Sequence, residues 1–225
     1  MTLPYRTSDV SPRRQTGTPV PQAESWPKRL PAVLAVLLGV MQAPALAASY
    51  SWDANGVDPG TGGTGNWDTA SSLWDNGGLT TWPTTGTDND AVFGGTAGTV
   101  SLTTGVTAND LTFNTTGYLV QSNTLTLNGT TPTITVGSGL SASISSIVTG
   151  SAGLTVPGPG TLTLSGNNTY TGGTNVTGGL LLLAGGDSGS SRVGPGMLTI
   201  GRGAAVRAAL PNVLGWDTGA ATPSV

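Results

Sequence analysis

The chain contains no cysteine and no histidine, and charged residues make up only 8% of its 225 positions. Without thiols or imidazoles there is no disulfide scaffold, no Cys or His zinc site, and no catalysis that rests on a thiolate or an imidazole. Charge is also unevenly placed. Five of the eight basic residues (Arg6, Arg13, Arg14, Lys28 and Arg29) precede residue 30, and from Ala48 onward the chain has nine Asp, three Arg, no Lys and no Glu, a net charge of −6. Phosphate backbones and anionic lipids are held by clustered Lys and Arg, so neither nucleic acid nor a phospholipid surface is an expected partner. Aromatics are few, at 5%, while the hydrophobic fraction is 36% and Gly supplies 36 residues. That much apolar content argues against a disordered tail, and the Gly and Thr content argues against helices.

What is present begins with an export pattern. Lys28 and Arg29 precede an apolar run from Leu30 to Val40, followed by Ala43-Pro44-Ala45-Leu46-Ala47-Ala48. A positive flank, an apolar core of about eleven residues and an A-x-A site make a secretory signal, too short for the ~20 residues of a membrane span. Ala45 and Ala47 are the small residues of the site, and cleavage before Ala48 is expected. The Arg13-Arg14 pair lies too far from the apolar run to read as a twin-arginine signal.

Beyond the leader the hydrophobic period is two. Val100/Leu102, Leu111/Phe113, Leu125/Leu127, Ile134/Val136, Leu162/Leu164 and Leu198/Ile200 each put two apolar side chains on one face, mostly with Thr between them. The β-branched Thr suits a pleated strand, and Gly, Asn and Pro bound each short run. Strand centres at Leu125, Ile134, Ile144, Leu154 and Leu162 predict an all-β chain, either a right-handed parallel β-helix or a β-sandwich. Bulky core residues are scarce between Phe113 and Trp216, where the only aromatics are Tyr118 and Tyr170. A solenoid needs only small aliphatics stacked turn on turn, so the β-helix is preferred.

The segment from Gly153 to Leu183 contains Gly160-Thr161-Leu162, Leu164-Ser165-Gly166, Asn168, Tyr170, Gly172, Thr174, Val176, Gly179, Leu181 and Leu183. This string resembles the autotransporter-associated β-strand repeat, also called the passenger-associated transport repeat. Val156 stands where that repeat usually has Lys, and Leu180 where Thr is common. The resemblance implies an exported passenger-type β-helix, secreted or held at the outer membrane or cell surface of a Gram-negative bacterium. The expected organisation is a signal peptide over 1–47, a Trp/Gly-rich N-terminal cap over 48–98, and β-helix repeats over 99–225. The chain stops without the strand spans of a membrane barrel, so truncation at the C-terminus, and self-association through an open solenoid end there, past the strand pairs Leu198/Ile200 and Val206/Ala208, are further expectations.

Trp52-Asp53, Trp67-Asp68, Trp74-Asp75 and Trp216-Asp217 repeat one dipeptide at spacings too irregular for propeller blades. Trp52, Trp67, Trp74 and Trp82 could stack on the sugar rings of a cell-surface or environmental polysaccharide. The preferred alternative has them packing over the first turn of the solenoid, where terminal repeats are atypical. Asp53-Ala54-Asn55-Gly56-Val57-Asp58 lacks the Gly and the distal carboxylate of a calcium loop, so no metal site is assigned. Asp88-Asn89-Asp90 has no Glu, Lys or His to assist glycoside hydrolysis, and no catalytic residue or cofactor is expected. The expected function is a structural, surface-displayed passenger. An adhesin or carbohydrate-binding module is the alternative, and a polysaccharide-degrading β-helix the distant one.

Overall fold

The computed structural model describes residues 47–57, 61–86, 88–184 and 196–208. The expected leader up to residue 46, and Trp216 with the rest of 209–225, lie outside the described residues. The chain opens with β1 (Ala48–Trp52) and β2 (Gly65–Trp67), then two very short strands, β3 (Trp74–Asp75) and β4 (Leu79–Thr80). Three turns of three strands follow: β5 (Asn89–Phe93), β6 (Thr99–Leu102) and β7 (Val106–Ala108); β8 (Leu111–Phe113), β9 (Tyr118–Gln121) and β10 (Thr124–Leu127); β11 (Ile134–Val136), β12 (Ser141–Ile144) and β13 (Ile147–Thr149). The remaining turns contribute two strands each: β14 (Leu154–Val156) and β15 (Thr161–Leu164), β16 (Thr174–Val176) and β17 (Leu180–Leu183), β18 (Leu198–Ile200) and β19 (Ala205–Ala208). There is no helix among the described residues.

Equivalent strands of successive turns pair in parallel. On one face β1, β5, β8 and β11 run side by side, and a bridge between Thr133 and Thr155 continues them into β14, β16 and β18. The second face is a seven-stranded sheet of β2, β6, β9, β12, β15, β17 and β19. A third, shorter face holds β7, β10 and β13. Leu154 pairs with Thr174 and Thr174 with Leu198, so these two turns take twenty and twenty-four residues. This is a parallel β-solenoid. The sandwich alternative fails because its two sheets would be built of antiparallel neighbours.

Alternation explains the core. Strands such as β6, β10 and β15 show half-buried Thr or Ser alternating with fully buried Val or Leu. In-register stacking sets Val100 beside Val120, Ile144 beside Leu164, Leu162 beside Leu181, and Leu164 beside Leu183. Each fully buried Leu or Val contributes about 1.5–3 kcal/mol relative to exposure. One expected pair behaves differently: Leu198 is half-buried and Ile200 is 49% exposed, because no described turn lies over β18.

The ladder starts earlier than Thr99. Both β1 and β2 already pair in parallel with β5 and β6, so residues 48–98 contribute solenoid strands of their own. Outside β1 the order reverses: β3 pairs antiparallel with β1, and β4 antiparallel with β3. Beyond β1, this face ends in a two-strand antiparallel flap.

Candidate functional site

The four tryptophans singled out in the sequence meet in one cluster beside that flap. Ring centroids lie 5.1 Å apart for Trp52 and Trp74, 4.9 Å for Trp67 and Trp74, 4.9 Å for Trp67 and Trp82, and 4.6 Å for Trp74 and Trp82. Phe93 touches Trp52, Trp67 and Trp74, and stacks on Phe113 of the next turn at 4.8 Å. The aromatic column thus runs from the flap into the solenoid. Trp52 Nε1 donates to Gly63 O at 2.8 Å, and Trp82 Nε1 to Thr107 O at 2.9 Å. The Nε1 groups of Trp67 and Trp74 are buried without an acceptor, which costs free energy that the packing of the rings offsets. All four indoles are at most 1% exposed, so none presents a face to a sugar ring.

The repeated Trp-Asp dipeptide now has a physical reason. In each of the three described pairs the Trp enters the core while the Asp organises the turn that follows. Asp68 accepts from the Ala70 and Ser71 amides and the Ser71 hydroxyl, and Asp75 accepts from the Gly78 amide. Burial works against ionisation of Asp68, but the bonds from Ser71 and Ala70 outweigh it and hold the carboxyl below its ordinary value. Asp53 Oδ1 accepts from the Asn55 amide in an Asx turn. Among the described residues no group of three or more Asp, Glu, His or Cys could hold a metal ion.

Asp90 does not stand free for hydrolysis. Its Oδ1 accepts from Asn109 Nδ2 at 2.9 Å and the Asp110 amide at 3.1 Å, and Asp110 Oδ1 accepts from the Thr133 amide at 2.7 Å. This column staples three successive turns. Burial raises the Asp110 carboxyl above its ordinary value, opposed by the Thr133 bonds and assisted by the charge of Asp90.

Two further buried polar devices appear that sequence reasoning did not single out as such. Tyr118 OH donates to one of two carbonyls, Gly94 O at 2.6 Å or Thr96 O at 2.8 Å, tying β9 to the turn before β6. Gly62, with φ of +75°, sits against that hydroxyl and both carbonyls, and a side chain there would collide with all three. In the repeat, Asn168 Oδ1 accepts from the Val148 amide at 2.9 Å, and the Tyr170 and Thr174 hydroxyls bond at 2.6 Å. The signal for the last two was the repeat string itself, where Asn168, Tyr170 and Thr174 recur as fixed positions.

The described residues form a repeat-built parallel solenoid. Residues 154–183 match the family Passenger-associated-transport-repeat, so the chain carries that repeat. Over 168 residues, 72% of its length, it is 42% identical to the Adhesin BmaC autotransporter of Brucella suis biovar 1 (strain 1330). The alignment spans 5% of the length of that relative. No solved structure matches the chain at a significant level. The repeat and the relative together make this an exported autotransporter-type passenger, directed to the surface of a Gram-negative bacterium.

Proposed function

We propose that the chain serves as a stiff displayed segment of the passenger, and that its turns assist export by folding one upon another outside the cell. The observation that carries this reading is the uninterrupted parallel ladder of the second face, from β2 to β19. Each turn pairs with its neighbour twenty or so residues away, so a chain emerging piecemeal can add turns to a finished edge without waiting for distant sequence. The Trp cluster and antiparallel flap close the first end. Nothing in the reading requires enzymatic chemistry.

Residues 1–47 act as the removable leader in this proposal. Strand β1 begins at Ala48, whose amide donates to Asp88 O at 2.9 Å, so cleavage after Ala47 leaves the strand whole. Mass spectrometry of the surface-exposed product should give Ala48 as its first residue; Met1 on exported protein would overturn it. For the display role, Leu162→Asp with Leu164→Asp in the intact exported protein should abolish surface labelling while synthesis continues. Undiminished display would sink the reading.

A second reading, adhesion, is supported by the identity to a relative named as an adhesin. It is tested by whole-cell adherence of bacteria with and without residues 48–225.

A further inference from the structure

The sequence holds three Asn-Gly pairs, Asn55-Gly56, Asn76-Gly77 and Asn128-Gly129. An Asn followed by Gly can close its side chain onto the next main-chain nitrogen, because a residue without Cβ leaves that nitrogen unhindered. Whether it does so in a folded chain depends on where the fold holds the carboxamide. Asn128 follows β10 at the corner that leads from the third face back to the first. Its amide donates to Ala108 O at 2.9 Å, which fixes the corner on the turn before. Its side chain folds back on its own main chain, where the Gly129 amide donates to Asn128 Oδ1 at 2.9 Å. Gly129 has φ of +97°, and a side chain there would collide with the Asn109 carboxamide, so the corner accepts glycine alone.

The other two pairs are held differently. At Asn55 both ends of the carboxamide are engaged elsewhere: Oδ1 accepts from the Val57 amide at 2.7 Å, and Nδ2 donates to Thr61 Oγ1 at 2.7 Å. The Gly56 amide is itself turned towards Asp53 O, at 3.4 Å. Asn76 is exposed in the turn between β3 and β4, and nothing among the described residues holds its side chain against Gly77. Only at Asn128 does the fold set the carboxamide on the nitrogen that would attack it. The Asn128 Nδ2 group, which would leave, donates to nothing among the described residues. Asn128 and Gly129 are half-buried and the adjoining Thr130 and Thr131 are exposed, so water and hydroxide reach the corner.

We propose that Asn128 is a site of spontaneous covalent modification, at which the folded corner converts itself to aspartate and isoaspartate. The co-reactants are hydroxide and water. Hydroxide takes the Gly129 amide proton, and the nitrogen's electron pair forms a bond to Asn128 Cγ, which lies one bond from Oδ1. The Cγ–Nδ2 bond breaks, and Nδ2 leaves as ammonia with a proton from water. Water then opens the resulting five-membered imide at one of its two carbonyls. Addition at Cγ breaks the new bond and leaves Asp. Addition at the main-chain carbon leaves isoaspartate, whose main chain runs through Cγ and is longer by a methylene. Holding the reacting groups together in advance removes the entropy of bringing them together, and that is the source of speed in such closures. The contact exists only after Asn128 has docked on Ala108, so the conversion belongs to the finished solenoid. Either product sets a negative charge at the corner where Asn109 Nδ2 donates to Asp90 Oδ1. A neutral turn thus becomes acidic with age, without an enzyme.

The test holds the intact exported protein in mildly alkaline buffer and follows the three Asn-Gly pairs by peptide mapping and mass spectrometry, with an isoaspartate methyltransferase to mark the rearranged product. In the folded protein Asn128 should convert at least about tenfold faster than Asn55, with Asn76 between them. The same chain held unfolded in guanidinium chloride should convert all three at closely similar rates, since each is then an Asn-Gly pair without a fixed geometry. The Asn128 rate should rise with hydroxide concentration, as a deprotonated nitrogen requires. Asn128→Gln, whose longer side chain cannot close the five-membered ring, should abolish the change at that position with the rate at Asn76 unaltered. An Asn128 that stays an amide, conversion of Asn76 ahead of it, or the same relative rates in the folded and unfolded chain would each overturn the proposal.

Discussion

The two ends of the described solenoid solve the same packing problem with different residues. From Ala48 to Phe113 four Trp and two Phe join aliphatic residues in the interior, the rings meet at varied angles, and the outermost strands turn antiparallel. From Ile134 to Leu183 the interior is mainly Leu, Val and Ile in columns, with Tyr170 its one buried ring among the described residues. A turn inside a solenoid is covered on both sides and needs only a uniform fill. A terminal turn has a neighbour on one side alone, and large aromatic rings can cover the open side while a reversed strand occupies the free edge. The exposed Ile200 in β18 shows what an uncovered turn looks like.

Breaking the aromatic end should have the largest effect. Trp67→Ala or Trp74→Ala removes a ring that is wholly buried among other aromatics, at an expected cost of about 3–5 kcal/mol. If the cluster serves as the closure, hydrogen exchange should speed first in β1, β5 and β6, with β15 and β17 protected for longer. Unchanged melting would contradict the cluster's role in covering the end. Leu162→Ala, in the uniform part, should cost about 2–4 kcal/mol and loosen both neighbouring turns through Ala142 and Leu181. A loss confined to β15 would mean that the turns do not stack cooperatively. Asn168→Ala deletes the acceptor for a buried Val148 amide, and about 1–3 kcal/mol is expected. Asn168→Asp keeps an acceptor at that amide, and should recover part of the loss.

The uniform part was the more legible of the two. Alternation of Thr with Ile, Leu or Val names the inward residues of β11 and β15 without knowledge of any partner, because period two is a local property. Local signal runs out where structure depends on the neighbouring turn. Strands β3 and β4, two residues each, have no alternation to display and exist only because β1 offers an edge. β13 follows β12 too closely to read as a separate strand. Trp-Asp repetition picks out three of the four clustered indoles, but whether an indole faces a sugar or a core depends on the turn beneath it.

The smallest expected effect contrasts two carboxyls, Asp68 in a turn of the aromatic end and Asp110 in the staple between turns. For Asp68 the folded value is lowered, so its contribution to stability is present above the ordinary carboxylate range and is lost as pH falls through the folded value. For Asp110 the folded value is raised. Its favourable contribution is therefore complete below the ordinary range and disappears as pH rises through the folded value, leaving a half-buried carboxylate near Asp90 at neutral pH. Asp110→Asn retains an acceptor for the Thr133 amide but removes that charge. The variant should be slightly more stable than the parent at pH 7, by less than about 1 kcal/mol once solvent screening is allowed for. The gain should vanish near pH 3, where both side chains are neutral. Thermal melts of the two proteins from pH 3 to pH 7 would check this. A variant that is less stable at neutral pH would show that the Asp110 charge strengthens its bond to Thr133 by more than burial and Asp90 oppose it.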